Sequence, residues 1–168
     1  MRKFISLFLV WVTLAGLSGC TPEYNWRELS VADERAVIMF PARTKVEQRK
    51  IEVEGLSLTF SLSSAAVADA VFSVGSAPLD ASVTAAQAQA LVDAFVRALS
   101  RRLGQSAPRE AATGEPFTLE TVVNGRPSLL MGRVLVHRGM LIQVVVSGPT
   151  QSLSRENASD FMRSLVLR

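Results

Sequence analysis

The side chains best suited to chemistry in this chain are its single cysteine, Cys20, and its single histidine, His137. Cys20 stands directly after an uncharged apolar run. A lone cysteine can form neither an intramolecular disulfide nor a metal site built from several cysteines. A free thiol is also a liability in an oxidising compartment. The position of Cys20 therefore favours its covalent modification.

The residues before Cys20 have the pattern of an export leader. Arg2 and Lys3 are followed by residues 4–17, which contain no charged side chain. As a helix this run would rise about 21 Å, which is less than the roughly 30 Å of a bilayer core. A basic start and a short apolar run before small residues are typical of a signal peptide rather than of a permanent span. We therefore predict a signal peptide at residues 1–19.

The segment Leu17-Ser18-Gly19-Cys20 resembles the lipobox of bacterial lipoprotein precursors. The resemblance implies a diacylglycerol on the Cys20 sulfur, cleavage between Gly19 and Cys20, and acylation of the new amino group. It also implies membrane lipid as a partner. Thr21, in place of the aspartate common in lipoproteins of the inner membrane, favours the outer membrane facing the periplasm. The alternatives are an ordinary signal peptide, which would normally end in Ala-x-Ala, or a poorly cleaved anchor with a chance cysteine.

Residues 20–35 are predicted to form a lipidated tether before a single domain at residues 36–168. Tyr24 and Trp26 are amphipathic aromatic residues of the kind found at membrane interfaces. Their place four to six residues after Cys20 makes them candidates for contact with lipid headgroups. The alternative is that Trp26 packs on the edge of the domain.

The composition after cleavage is that of one ordinary, nearly neutral domain. Removing residues 1–19 from 168 leaves 149 residues, which suffice for a hydrophobic core. Of the 18 basic residues, Arg2 and Lys3 leave with the leader, so 16 basic and 15 acidic side chains give a net charge of +1. Nucleic-acid binding would need a clustered basic face. We therefore predict no nucleic-acid partner.

Catalysis is not indicated by the remaining residues. His137 lies beside a predicted turn, where we expect it to be exposed to solvent. A zinc site would need further ligands converging on it, and a serine hydrolase would need a partner such as a Gly-x-Ser-x-Gly elbow, which is not in the sequence. We predict no catalytic residues, no metal, no cofactor and no enzymatic activity.

Residues 84–103 give the clearest helical signal. Thr84 and Gln87 fit a capping box at the helix start, and Gly104 is suited to a left-handed stop at its end. Apolar residues between them recur at helical spacing and predict one buried stripe: Ala88, Leu91, Val92, Phe95, Leu99 and Leu103. A short amphipathic helix is also predicted near the C-terminus, from Ser154 to Leu165.

Alternating apolar and polar residues predict strands before and after the long helix. They cover residues 37–40, 46–53, 56–62 and about 68–74, with a proline-containing connection at residues 75–82. A three-stranded meander from 117 to 146 follows the long helix. Turn signals lie at Glu54-Gly55, Asn124-Gly125 and Arg138-Gly139. Gly132, inside a strand, is expected to mark a bulge or the close approach of another backbone. The mixed charges of residues 43–54 predict a protected edge strand, or else contact with headgroups or a partner.

These elements predict an α+β fold, a mainly antiparallel β-sheet packed by one long helix and one C-terminal helix. Their order resembles the PsbP-like fold, which implies an assembly or accessory role and transfers no catalytic residue. The residues that carry the resemblance are Phe40-Pro41, Leu103-Gly104, residues 140–146 and the segment Phe161-Met162-Arg163-Ser164-Leu165. Residues 20–28 also resemble the starts of small, uncharacterised proteobacterial lipoproteins.

Together these features predict a lipid-anchored envelope lipoprotein with a non-catalytic binding or accessory role. Its partner would be another envelope protein, contacted through a sheet face or edge. One alternative is a carrier of a small apolar ligand such as a lipid, with a cavity between residues 84–103 and the sheet. The other is a periplasmic hydrolase that uses His137 with a serine or a carboxylate.

Overall fold

The computed structural model of this chain describes residues 23–109, 111 and 114–168. The predicted signal peptide, the cleavage position Gly19-Cys20 and the predicted lipidation at Cys20 lie outside these residues. The described part contains nine strands and two helices. The predicted α+β class with a mainly antiparallel sheet is confirmed.

The helices and strands follow one another in a simple order. The strands before the long helix are β1 Arg27–Val31, β2 Ala36–Phe40, β3 Lys45–Val53, β4 Leu56–Val67 and β5 Ala70–Pro78. Helix α1 spans Ala85–Arg102. It is followed by β6 Phe117–Val123, β7 Arg126–His137, β8 Met140–Pro149, helix α2 Arg155–Arg163 and β9 Val166–Leu167.

The strands form two antiparallel sheets. The larger sheet has the order β3-β4-β5-β8-β7-β6, so β8 pairs with β5 across the inserted helix and hairpin. The smaller sheet has the order β1-β2-β9. Helix α1 packs on one face of the larger sheet, and α2 with the smaller sheet packs on the other face. The outer strands of the larger sheet are β3 and β6.

Strand β8 contributes side chains to a hydrophobic core on each face of the larger sheet. Successive side chains of a strand point to opposite faces, and Leu141 and Val145 join the core under α1, while Ile142 and Val144 join the core under α2. All four residues are buried. Because both faces are covered, β8 has the nearly continuous apolar run of a central strand rather than a clean alternation.

Local signals locate α1 and the tight hairpins correctly. Thr84 caps α1, its side chain accepting a hydrogen bond from the Gln87 backbone N–H while Gln87 reaches back to the Thr84 N–H, which completes the predicted capping box. Gly104 follows the helix with φ of +67°. Asn124 and Gly125 have φ of 51° and 76°, the left-handed pair that a two-residue hairpin turn requires.

The structure differs from the predicted tether at residues 20–35, because Arg27–Val31 form β1 and the fold begins before residue 36. Only two of its five residues are apolar, so β1 has little signal of its own. Its stability comes from pairing, with Leu29 opposite Ile38 and Val31 opposite Ala36. The reversal at residues 32–34 contains no glycine although all three residues have positive φ, so it carries no glycine turn signal.

The fifth strand also extends further than predicted. We expected a strand to residue 74 and a connection from Gly75, whereas β5 continues to Pro78. Gly75 belongs to the strand because its backbone pairs with Leu62 of β4 and Gln143 of β8, and the Phe60 ring occupies the place of its missing side chain. A Cβ built on Gly75 would lie 2.1 Å from Cζ of Phe60. A glycine that indicates a connection in the sequence therefore serves here as a packing site for a ring.

Gly132 has the same role and corrects the prediction of a bulge or a close backbone. The register of β7 against β8 runs without interruption from 128 to 137, so there is no bulge at Gly132. Gly132 lies opposite Phe117, and a Cβ added to it would lie 2.6 Å from Cζ of that ring. The close neighbour is thus an aromatic side chain and not another backbone.

We predict that Gly132→Ala lowers the free energy of unfolding by about 1–3 kcal/mol, because the added methyl overpacks a buried ring. The measurement is chemical denaturation followed by circular dichroism. The double variant with Phe117→Leu should lose less stability than the sum of the two single variants, since the shorter side chain leaves room for the methyl. An unchanged denaturation midpoint in Gly132→Ala would contradict this packing.

Candidate functional site

The aromatic residues Tyr24 and Trp26 pack against the core under α2. The Tyr24 and Trp26 rings are stacked, with centroids 5.8 Å apart, and each meets the edge of Phe72 at 6.1 Å. The backbone N–H of Asn25 donates to the carbonyl oxygen of Pro41 at 2.7 Å. Trp26 therefore packs on the edge of the domain, which is the alternative to headgroup contact. Contact of the two rings with a membrane stays a prediction.

Tyr24 is held by its hydroxyl as well as by its ring. The hydroxyl donates to the carbonyl oxygen of Ser152 at 3.2 Å, just before α2. Burial raises the pKa of Tyr24 above 10.0, a hydrogen bond with the Asn157 side chain opposes that shift, and the charge of Glu23 adds to it. The neutral phenol is thus the form that the folded chain favours.

We predict that the stability contributed by Tyr24 is fully present below about pH 10 and is lost as the pH rises through the folded-state pKa, since that pKa is the raised one. Tyr24→Phe should lose about 0.5–1.5 kcal/mol at neutral pH with the hydroxyl hydrogen bond, and should lose less stability than wild type on alkaline titration. Tyr24 is the single tyrosine, so phenolate absorbance reports its ionisation directly. An absorbance midpoint below that of a free tyrosine would contradict the prediction.

His137 is tied to the C-terminus of the chain. Its Nε2 lies 2.8 Å from the carbonyl oxygen of Arg168, and the ring is partly exposed at the turn between β7 and β8. Two serines of the larger sheet have backbone partners: Ser73 Oγ donates to the carbonyl oxygen of Val145 and Ser128 Oγ to that of Arg126, both at 3.1 Å. The structure does not bring these hydroxyls to His137.

Ionisable groups are dispersed over the described surface. Across residues 23–109, 111 and 114–168, no three His, Cys, Asp or Glu side chains are grouped so as to hold a metal ion. Arg97 bonds to Glu54 at 3.0 Å, so it links α1 to the β3–β4 turn. Arg101 and Arg102 occupy the last turn of α1, where positive charge complements the helix dipole.

The interface between α1 and the sheet contains buried apolar side chains and a groove at one end. Leu91, Val92, Val96 and Leu99 are buried there. A groove of about 400 Å³ lies between the first half of α1 and β7, with Ala88 and Val92 of the helix and Val134 and Val136 of the strand in its lining. A carrier cavity between residues 84–103 and the sheet stays a prediction.

A groove of about 540 Å³ lies beyond the C-terminal end of α1. Leu103, Val71 and Val123 contribute apolar surface to it, and both valines are exposed. Arg126 and Asp69 form an ion pair at its rim, with 3.1 Å between Nη1 and Oδ2. The groove thus has apolar surface next to the ion pair between Arg126 and Asp69.

A third groove, of about 440 Å³, lies between the start of β6 and α2. Its apolar lining consists of Phe117, Met131, Met162 and Leu165, and its charged lining of Glu115, Arg133 and Arg163. Arg133 is held in place because its Nε donates to the carbonyl oxygen of Gly114 at 2.8 Å. The groove opens beside an outer strand of the larger sheet, so it adjoins backbone as well as side chains.

The two outer strands differ in charge. The expected edge strand within residues 43–54 is found as β3, whose nine residues include five charged ones. The other edge, β6, contains one charged residue, Glu120, and ends in the exposed valines Val122 and Val123. No local sequence signal marks β6 as an edge, although its low charge can be read from the sequence. Only the sheet order shows that β6 has a neighbour on one side alone.

Comparisons with protein-family models, with curated proteins and with solved structures give no match to this chain. The PsbP-like resemblance is therefore not confirmed beyond the α+β class. Neither helix in the described part of the chain is long and apolar enough to cross a membrane.

Proposed function

We propose that this protein is a lipid-anchored lipoprotein of the cell envelope whose role is to bind another envelope protein. The anchor would be the acylated Cys20, and the location the periplasmic side of the outer membrane. The observation that carries the proposal is Leu17-Ser18-Gly19-Cys20 at the end of a leader that begins with Arg2 and Lys3. Cleavage before Cys20 would place the anchor at the first residue of the mature chain.

The position of the described fold supports a domain that lies close to the bilayer. Tyr24 is packed on the core, and it follows Cys20 by four residues. A residue of extended chain spans at most about 3.6 Å, so Cα of Tyr24 lies within about 14 Å of Cα of Cys20 in any conformation. An acylated Cys20 would therefore hold this edge of the domain beside the headgroups.

A binding role is supported by the hydrogen bonds of the side chains that could otherwise serve in catalysis. The His137 ring is bonded to the chain terminus, and Ser73 and Ser128 are bonded to backbone carbonyls within the sheet. The surface also offers features suited to a macromolecular partner, namely the weakly charged edge strand β6 and the groove beside it. We propose that recognition, not chemistry on a substrate, is the use of this surface.

The anchor is tested on the full-length protein by metabolic labelling with palmitate and by mass spectrometry of the mature amino-terminal peptide. The expected result is a labelled protein in outer-membrane fractions, whose first peptide begins at Cys20 and carries the mass of its acyl groups. A mature chain recovered from periplasmic extract with an unmodified Cys20 thiol would overturn the anchor.

The binding role is tested separately, by cross-linking in intact envelopes followed by affinity capture of the acylated protein. The expected result is the same partner in independent preparations, and its loss when the surface that binds it is altered. Failure to recover any reproducible partner from cross-linked envelopes would contradict this role.

A carrier of a small apolar ligand is the second candidate, and the groove beyond α1 favours it. Its volume of about 540 Å³ falls in the range of small-molecule sites, and Leu103, Val71 and Val123 give it apolar surface. Native mass spectrometry of the purified protein is the test. A bound lipid of defined mass supports the carrier, and ligand-free protein from mild extraction contradicts it.

A further inference from the structure

The larger sheet ends in two strands that present very different edges. Strand β3 carries Lys45, Glu47, Arg49, Lys50 and Glu52, and charges on an edge strand discourage pairing with another chain. Strand β6 carries Glu120 alone. Glu120 also bonds to Arg155 in an exposed ion pair, so β6 carries one charged side chain against the five of β3.

The β6–β7 hairpin determines which backbone groups of β6 face outward. In a two-residue hairpin the residues that flank the turn form a hydrogen-bonded pair, and such pairs alternate along the strands. Val123 and Arg126 flank the Asn124-Gly125 turn, so the backbone of Val123 bonds inward. Counting back by alternation, Thr118, Glu120 and Val122 direct their N–H and C=O groups away from β7.

A side chain confirms this orientation and partly covers the edge. Gln105 Nε2 donates to the carbonyl oxygen of Glu120, which it can reach only because that carbonyl points away from β7. Gln105 comes from the segment after α1 and is itself partly exposed. The cover is a single side chain amide, which an incoming strand could replace with its own backbone N–H.

The groove between β6 and α2 lies where alternate side chains of an added strand would fall. Thr118 is opposite Met131 in the register and therefore shares its face of the sheet. Met131, Met162 and Leu165 line the groove on that face. An extended segment beside Thr118 would place every second side chain toward this apolar surface, as in peptide recognition by strand addition.

We propose that the outer edge of β6 binds an extended segment of a different polypeptide, which adds a seventh strand and inserts an apolar side chain into the groove between β6 and α2. A second copy of this chain is a poorer occupant. In the symmetric antiparallel pairing that aligns Thr118 with Val122, Glu120 would face Glu120 of the other copy, and like charges directly opposite destabilise a strand pair. This inference rests on the proposed binding role and is independent of the anchor at Cys20.

The test places a photoreactive benzoylphenylalanine at Thr118 in the full-length protein, with Gln48 of the β3 edge as the control position. After irradiation of cells that make the protein natively, Thr118 should give a discrete heterologous product, and mass spectrometry should locate the link in an extended apolar segment. Absence of that product, or an equal one from Gln48, overturns the proposal. A product of twice the mass of this chain also overturns it, in favour of self-pairing.

Proline variants show whether the backbone of β6 is responsible. Val122→Pro removes an outward N–H from β6, and Val46→Pro is its match on β3, since alternation from the Glu54-Gly55 turn also directs the Val46 N–H outward. The two valines are 65% and 62% exposed. The cross-link yield from Thr118 should fall about tenfold in Val122→Pro and stay unchanged in Val46→Pro. Equal effects of the two variants would overturn the proposal, provided that both melt at the same temperature.

The variant Gln105→Ala is expected to raise the cross-link yield, whereas Val122→Pro lowers it. Without the side chain amide on the carbonyl of Glu120, the edge should pair more readily and the cross-link yield should rise. A fall in yield with an unchanged melting temperature would overturn the proposal. The cross-linking experiment is repeated with an exported form that is not lipidated, to separate strand addition at β6 from the lipid anchor at Cys20. If only the anchor proposal fails, Val122→Pro should still lower the cross-link yield and Val46→Pro should still leave it unchanged.

Discussion

Replacing Cys20 with serine is expected to abolish acylation and to leave the leader uncleaved, because the lipobox resemblance implies that the Cys20 sulfur is modified before cleavage. Combining this change with Leu17→Ala and Gly19→Ala creates the Ala-x-Ala pattern of an ordinary signal peptide. That triple variant should be cleaved and released into the periplasm. Each buried methylene contributes about 0.8 kcal/mol to membrane binding, and a single chain binds only reversibly. Loss of two or three acyl chains should therefore lower the partitioning of the protein into the membrane by roughly a thousandfold or more.

The measurement is the distribution of the protein between membrane pellet and periplasmic extract, with palmitate labelling of the same samples. Ser18→Ala is the matched control, because it changes the same segment and keeps the thiol of Cys20. It should stay in the pellet and take up label. A triple variant that remains in the pellet after salt washing would show that another part of the chain holds it, which would refute the anchor as proposed.

Phe161→Ala is expected to be the most destabilising single change in the core under α2. Phe161 is fully buried and meets Phe40 and Phe72 with ring centroids 5.5 and 5.2 Å apart, both nearly edge-on. It thus connects α2 with β2 of the smaller sheet and with β5 of the larger one. Removing a buried phenyl ring costs about 3–5 kcal/mol, which is a large part of the 5–15 kcal/mol that stabilises a typical domain.

Thermal unfolding of the detergent-extracted protein measures the effect, and a fall of roughly 10 °C in Tm is expected at about 2–4 °C per kcal/mol. Phe161→Leu should recover much of the loss, because it refills most of the cavity. Val46→Ala, at an exposed position on β3, should leave Tm unchanged within about 1 °C. If Phe161→Ala changed Tm by less than about 1 °C, the packing of Phe161 between α2, β2 and β5 would be contradicted.

Elements whose signals are local were predictable from the sequence. Thr84 and Gln87 cap α1 through neighbours three residues apart, and Asn124-Gly125 supplies the positive φ values of its own turn. The hairpin β3–β4 follows from Glu54-Gly55 between two alternating runs. In each case the interaction that forms the element lies within a few residues, so a single sequence contains it.

Elements that depend on distant partners were not predictable in the same way. Strand β9 has two residues and is a strand only because Val166 and Leu167 pair with β2, about 130 residues earlier. Strand β1 likewise depends on β2. Gly75 and Gly132 are strand residues because their backbones pair with strands on both sides, and the rings of Phe60 and Phe117 fill the space above them. No local pattern contains these neighbours.

The sequence by itself determined the fold class, because the periodicity of strands and helices is local. It also carries the prediction of an envelope location, because the proposed leader and lipobox are contiguous segments. The tertiary structure alone decided which strands stand at the edges of the sheet. Strand β6 looks like any other strand of the meander, and it is an edge because β8 pairs with β5 across the inserted helix. The surface proposed to bind a partner exists because that long-range pairing leaves the outer backbone of β6 without a neighbouring strand.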